Sequence, residues 1–542
     1  MTQRRPIFAD VQSPIACFPY GVGQEGDGMC LLVKMGKYRI LLDCGLSDLS
    51  PLLAESTPPA DLVFCSHAHS DHAKGLLPLH EQFPELPIYG SEATAKLLPL
   101  NWPDWPSEAD FCQTLPWRSP VAFFDDLHAQ LFPAGHLPGA AAILLTYTGL
   151  DRAYTLLYTG DFFLSNSRLV EGLSLESLRG SSPDVLIVEA SYGTARHPRR
   201  RQLEKQLMEK IDRAIAQRHS VLLPVPPLGM AQEILMLLRS HHQFTGRDLD
   251  IWVADRVATT CNQYLDLLPH LPASVQNFAR HQALFWDEQV FPRVRRLPDN
   301  DPNAIDQFPC IVLTEKSGQW QQYCQAHPSP WMVLWPEYPG HNHRQEPDLS
   351  PLDATVQLDS YLLTEHSDGR NTTQLIHNIR PQHVVFVHGT PAYVVDLTSL
   401  EELQNRYQLH SPASGTLVEL PIGDRFVQPA APKDSHYEGE VHEIGQKIEI
   451  TLPQSIAQTP RWQNFADTGL VEARWQGEEL VLRGLSQREL LKQSNAAKLQ
   501  AELECCGNCL YQRGDRCSNP ASPLYGFKVT PEGYCPVFEP QE

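Results

Sequence analysis

The stretch Phe64-Cys65-Ser66-His67-Ala68-His69-Ser70-Asp71-His72 decides how this chain is to be read. It closes an apolar run, Leu62-Val63-Phe64, that predicts a strand. Three histidines and an aspartate then fall within six residues. Side chains alternate along extended chain, so His67 and His69 point the same way, while Asp71 and His72, just past the turn, can address a second point nearby. Neutral imidazoles and a carboxylate are donors that a Zn2+ ion accepts. With 22 histidines in 542 residues, a chance match to His-x-His-x-Asp-His is on the order of a few per thousand. The pattern therefore reads as a metal site and not as a surface histidine run.

Working outward, short β-like runs alternate with turns over residues 13–195. They include Leu31-Leu32-Val33, Arg39-Ile40-Leu41-Leu42, Thr155-Leu156-Leu157-Tyr158 and Val185-Leu186-Ile187-Val188. Residues 200–217 predict a charged amphipathic helix, Ser220 to Pro224 a strand, and Gly229 to Leu238 a second helix. This strand-then-helix rhythm predicts an inserted α/β domain. At 42% apolar and 20% charged residues, the composition is that of a soluble globular protein, long enough for two or three domains. No apolar stretch follows Arg4 and Arg5, and no run approaches the roughly 18 residues of a membrane span, so the expectation is a cytoplasmic protein without a membrane segment. The net charge of −21 argues against tight general binding of nucleic acid. A metal cluster with a local basic groove can still hold phosphates.

His67 to His72 resembles the signature of the metallo-β-lactamase fold, and further segments resemble that family's motifs in order. Asp43 in Leu41-Leu42-Asp43-Cys44-Gly45 is similar to the aspartate that buttresses the metal histidines. His136 in Ala134-Gly135-His136-Leu137-Pro138-Gly139 resembles the next ligand, and Asp161 in Tyr158-Thr159-Gly160-Asp161-Phe162 the carboxylate between two metals. Three later segments resemble the motifs of the β-CASP nuclease branch, of the ribonuclease J and cleavage-and-polyadenylation endonuclease type. They are Val188 to Gly193 around Glu189, Thr364 to Asp368 around His366, and Phe386 to Thr390 around His388. The resemblance implies an αββα metallo-β-lactamase sandwich with an inserted α/β β-CASP domain. It implies two Zn2+ ions, one held by His67, His69 and His136, the other by Asp71, His72 and His388, with Asp161 bridging. His69 stands where di-iron members carry glutamate, which favours zinc and hydrolysis. His388 stands where members acting on DNA usually carry valine, which favours RNA.

The implied reaction is hydrolysis of RNA phosphodiester bonds, in which a water activated by both metals attacks phosphorus. Asp71 takes or orients its proton, His366 protonates the leaving 3′ oxygen, and Glu189 fixes the His366 ring. Single-stranded RNA is the expected substrate, and a homodimer or RNA-processing partners are compatible with it. Two alternatives stay open: a hydrolase of a small thioester or phosphodiester, and an inactive scaffold subunit. The chain departs from the branch at Met230, where arginine is usual, at Thr314 to Gln319, and at Pro336 to His341. Arg196, Arg199 and Arg200, just after the acidic motif, are candidate phosphate contacts.

Of 13 cysteines, five crowd into the last 38 residues. Cys506, Cys509, Cys517 and Cys535 predict a four-thiolate site for a structural Zn2+ ion or a [4Fe–4S] cluster. The expected layout is a metallo-β-lactamase segment over 1–198, the insert over 199–350 and a return segment over 351–427. A linker at 428–442, a small α+β module over 443–500 and the cysteine-rich tail over 501–542 complete it.

Overall fold

Alternation along the strands builds the first interior. Leu31, Val33 and Met35 on strand Met29–Met35 and Ile40 and Leu42 on Tyr38–Leu42 turn one way, as period two requires. They meet Leu127, Ala129 and Leu131, Ile143 and Leu145, and Leu156 and Tyr158 in one buried cluster. The computed structural model describes residues 7–423 apart from 25–26, 55, 105–110, 328, 338–346 and 348–354. Beyond 423 it describes the backbone of four strands and parts of 509–525.

The two sheets that share this interior have seven strands each. The first runs Val418–Leu420, Ile15–Val22, Met29–Met35, Tyr38–Leu42, Leu62–Phe64, Ile88–Ser91, Cys112–Leu115. The second runs Gln408–His410, His383–Val387, Val185–Glu189, Ala153–Tyr158, Ala141–Thr148, Leu127–Pro133, Val121–Phe124. Side chains of opposite parity, such as Leu32, Leu41 and Val63, or Leu186, Val188 and Phe386, face outward and are covered by helical Leu76 and Leu79 and by Leu375 and Ile376. This is the expected αββα sandwich.

The third sheet has six strands, in the order Arg293–Arg296, Asp250–Val253, Ile311–Glu315, Ser220–Val225, Trp331–Pro336, Val356–Tyr361, and every pairing is parallel. A parallel sheet must be covered on both faces, and here it is. Val221, Leu223 and Val225 pack with residues of helices Arg200–Ala216 and Met230–Ser240, while Leu222, Val312, Trp331 and Val333 form a separate cluster on the other side. Strand Val356–Tyr361 pairs with Trp331–Pro336 over its whole length. The insert's sheet therefore continues past residue 350, where the sequence had placed its end, because the ladder and not composition decides which sheet a strand joins.

The chain divides into two compact units, Met1–Ala431 and Pro432–Glu542. In the second, Glu440–Ile444 pairs with Lys447–Thr451 and Val471–Gln476 with Glu479–Gly484 as antiparallel hairpins. Cys509 and Cys517 are buried about the small hairpin Gln512–Arg513/Arg516–Cys517. Cys506 and Cys535 lie outside the described residues. Among the described residues no helix is long and apolar enough to cross a membrane.

One histidine pair outside the metal cluster, His383 buried and His410 half-buried, gives a stability prediction. His383 Nδ1 and His410 Nε2 are 2.9 Å apart, and His383 Nε2 reaches the Pro421 carbonyl at 2.9 Å. Burial and the neighbouring His383 press His410 down to about 4. The unfolded chain binds this proton near pH 6.5 and the folded one does not, so the pair's stability is full above that pH and is lost as pH falls toward 4. The thermal midpoint should drop between pH 7 and 5, and His410→Gln should flatten that part of the profile. An unchanged slope in the variant would refute the assignment.

Candidate metal centre

Each motif residue sits where a strand ends. His67 to His72 follow Leu62–Phe64, with His72 in the short helix Ser70–Ala73. Asp43 follows Tyr38–Leu42, His136 follows Leu127–Pro133 and Asp161 follows Ala153–Tyr158. Glu189 ends Val185–Glu189, and His388 follows His383–Val387. Because the two sheets lie face to face, these ends converge on one seam. Asp43 and His388 hold left-handed backbone, at φ 59° and 50°, a conformation that aspartate and histidine adopt more readily than bulky residues. Gly45 explains the tight turn after Asp43: a Cβ there would stand 1.7 Å from the Asp71 carbonyl oxygen.

The side chains meet in two main groups, and Glu189 forms a third with Asp161 and His388, which it shares with them. His67, His69, His136 and Asp161 offer donor atoms all within 4.8 Å of one another, and so do Asp71, His72 and His388. Asp161 lies between them. Its Oδ2 is 3.5 Å from His67 Nε2 and 3.7 Å from His136 Nε2, and its Oδ1 is 3.4 Å from His72 Nε2 and 3.6 Å from His388 Nδ1. Three of the buried atoms facing this centre, His67 Nε2, His72 Nε2 and Asp161 Oδ1, make no well-formed hydrogen bond. Buried polar atoms left so are costly, and a metal ion is the partner that this mixed imidazole and carboxylate set fits.

The surrounding contacts orient the rings. Asp43 Oδ2 accepts from His72 Nδ1 at 2.8 Å, Tyr158 OH at 2.6 Å and Ser66 Oγ at 2.7 Å, and its Oδ1 accepts from the Ser66 amide at 2.6 Å. Asp43 is thus an anchor behind the centre. His136 Nδ1 donates to the Glu365 carbonyl at 2.9 Å, which leaves Nε2 for the centre. Such contacts to the far nitrogen are the usual means of fixing a metal-facing imidazole. Burial, reinforced by the other histidines, presses His67 and His136 well below the usual histidine range. These two rings are therefore neutral and their lone pairs are available. Burial acts the same way on His72, but Asp161 and Asp43 overcome it and raise that ring well above the range.

Beside the centre stands His366. Its Nδ1 is 2.7 Å from Glu189 Oε2 and 3.9 Å from Asp161 Oδ2. Burial opposes the protonated ring, yet Glu189 outweighs it and lifts His366 to about 9. Glu189 is held in turn by the Phe162 amide at 2.6 Å and by Ser191 Oγ, which also lies 2.9 Å from His388 Nδ1.

Some placements differ from the sequence expectation. Arg196 and Arg199 are exposed, but Arg200 is buried among Glu204, Glu233 and the Thr364 carbonyl. It is not a phosphate contact in this arrangement, because carboxylates and a carbonyl already occupy its guanidinium. Met230, at the usual arginine position, is buried with Tyr361 OH 3.5 Å from its sulfur. Ser66, Tyr158 and Ser191 were missed by sequence reasoning. All three lie inside the quoted motifs, but nothing local marks their hydroxyls as partners of Asp43 or Glu189.

The profile described as Beta-lactamase superfamily domain matches residues 38–218. An uncharacterized protein of Synechocystis sp. is 52% identical over 99% of this chain and 99% of its own. Probable RNase MJ4 of Methanocaldococcus jannaschii is 33% identical over 41% of this chain and 56% of its own length. Integrator complex subunit 11 of Danio rerio is 24% identical over 77% of this chain and 75% of its own. With its αββα layers, its inserted parallel sheet and its cluster at the seam, the chain belongs to the β-CASP family of the metallo-β-lactamase superfamily.

Proposed function

We propose that this chain is a zinc-dependent ribonuclease that hydrolyses phosphodiester bonds of single-stranded RNA in RNA processing or decay. The observation that carries the proposal is the His366–Glu189 pair: a protonated ring 3.9 Å from Asp161, at the edge of a cluster suited to two metal ions. The name of one relative, a probable RNase, supports RNA as the substrate class. His67, His69 and His136 would hold one zinc ion and Asp71, His72 and His388 the other, with Asp161 shared. Zinc ions so held, when bound, supply Lewis acidity and bring a water toward ionisation at neutral pH.

The chain's own groups supply the rest. Asp71, half-buried with Oδ2 3.2 Å from His388 Nε2, accepts or orients the proton of the attacking water. His366 donates a proton to the leaving 3′ oxygen, and Glu189 keeps that proton on the ring. A hydrolase of a small thioester would use the same cluster but would leave the His366–Glu189 pair and the six-stranded insert without a task. In the tail, Cys509 and Cys517 are proposed to share a zinc ion or a [4Fe–4S] cluster with Cys506 and Cys535.

The test is an assay of zinc-loaded protein on end-labelled RNA and DNA of equal sequence, beside His69→Ala. RNA should be cut and DNA spared, with a shallow salt dependence of only about −0.7 in log K per log salt for each phosphate neutralised. Equal cleavage of both strands would remove the preference attributed to His388. Inactivity on both, with fast thioester hydrolysis, would overturn the proposal.

A further inference from the structure

The arginine expected to touch substrate is bound up in a different structure. Arg200, Glu204 and Glu233 are 5%, 6% and 4% exposed, so none of their charges is left to solvent. Arg200 Nε donates to Glu204 Oε1 at 3.2 Å and its Nη2 to Glu233 Oε2 at 3.2 Å. Its remaining arm, Nη1, donates to the Thr364 carbonyl. Glu233 also accepts from Ser167 Oγ at 2.7 Å and from the Arg168 and Leu169 amides, each at 2.8 Å, and Glu204 accepts from Arg168 Nη2 at 2.9 Å. Four separate pieces of chain are thereby joined. They are the helices Arg200–Ala216 and Met230–Ser240 of the insert, the loop after Asp161, and the turn that carries His366.

That turn has few other fixings. The Glu365 carbonyl accepts from His136 Nδ1, the Ser367 amide donates to the Phe162 carbonyl at 3.0 Å, and the Leu164 amide donates to Ser367 Oγ at 3.2 Å. All of these come from the metallo-β-lactamase layers. Among the described residues, the Arg200 bond to Thr364, two residues before His366, is the hydrogen bond to this turn that comes from the insert. A planar guanidinium with three occupied directions is rigid, so it transmits the insert's position to the turn.

We propose that Arg200 is a positioning residue for His366: fixed between Glu204 and Glu233, it holds the Thr364 carbonyl and sets the His366 ring against Glu189 and Asp161. The proton donor is then aligned only while the insert is docked on the sandwich. This rests on His366 being the proton donor. A small misplacement of an acid costs rate without costing binding.

Arg200→Ala alone strands two buried carboxylates. The test therefore uses full-length protein carrying Arg200→Met, Glu204→Gln and Glu233→Gln together, in which no charge of this group stays buried alone. The first readout needs no substrate. The His366 Nδ1 proton bonded to Glu189 should appear as a downfield proton resonance that is absent from His366→Ala. In the triple variant it should be lost to exchange. The second readout compares leaving groups. On RNA, kcat should fall about 10–100-fold with KM within about threefold. On a p-nitrophenyl phosphodiester, whose leaving group needs no proton, the loss should stay within about threefold. Added to His366→Ala, the three changes should cost nothing more. A persisting resonance, an equal loss on both substrates, or a further loss in the His366→Ala background would overturn the proposal. A wild-type protein that shows the resonance, loses it in the triple variant and yet leaves RNA intact would support the positioning role and sink the ribonuclease proposal instead.

Discussion

His366→Ala should lower turnover on RNA by about 10²–10⁴-fold while leaving the metal content unchanged. The ring is not among the close donor groups of the cluster. It stands beside them, bonded to Glu189 at 2.7 Å, and carries its proton up to about pH 9 because Glu189 outweighs the cost of burial. A ring so placed carries a proton at neutral pH, as the proposed role requires. Elemental analysis and RNA turnover should be measured on the same preparations. Loss of a metal ion in His366→Ala would show that the ring is a ligand. Glu189→Gln should give a smaller loss of the same kind, because the ring keeps its place but loses the carboxylate that holds its proton.

The larger effect is expected at Asp161. Asp161→Ala should remove most of both zinc ions, about two per chain, and lower turnover on the order of 10⁴-fold or more. Its two oxygens lie between 3.4 and 3.7 Å from four different imidazoles, two in each group, so no other side chain can replace it. Its carboxyl is held well below the usual range: burial opposes the charge, but His388 and His72 prevail. The anion is therefore present across the whole working pH range. Asp161→Asn keeps the shape and removes the charge, and it should also bind less zinc, which separates charge from packing. Two zinc ions retained in Asp161→Ala would show that the groups hold metal independently. Iron alone in the wild-type centre would remove the zinc assignment.

The chemistry of this protein was legible in the sequence because metal donors come in a small set of residue types at short, turn-compatible spacings. His67 to His72 could be read from six positions. Asp43, His136, Asp161, Glu189, His366 and His388 could be placed because the segments around them resemble one family's motifs, in order along the chain. Strand identity and the two-sided interior were legible because alternation at period two is local. Beyond the groupings that the resemblance implied, relations between segments far apart in the chain remained hidden.

Only the tertiary structure decided that strand Val356–Tyr361 joins the insert's sheet, since ladder pairing is made with a partner and leaves no mark on composition. It also separated Arg200 from its neighbours. In the sequence Arg199 and Arg200 are equivalent members of a basic run. In the fold, a helix starting at residue 200 turns one outward and buries the other against Glu204 and Glu233. Charge type is written in the sequence, whereas burial, and with it the choice between meeting a substrate and holding a turn, arises only when Glu233 on another helix and the Thr364 carbonyl arrive at hydrogen-bond distance beside the neighbouring Glu204.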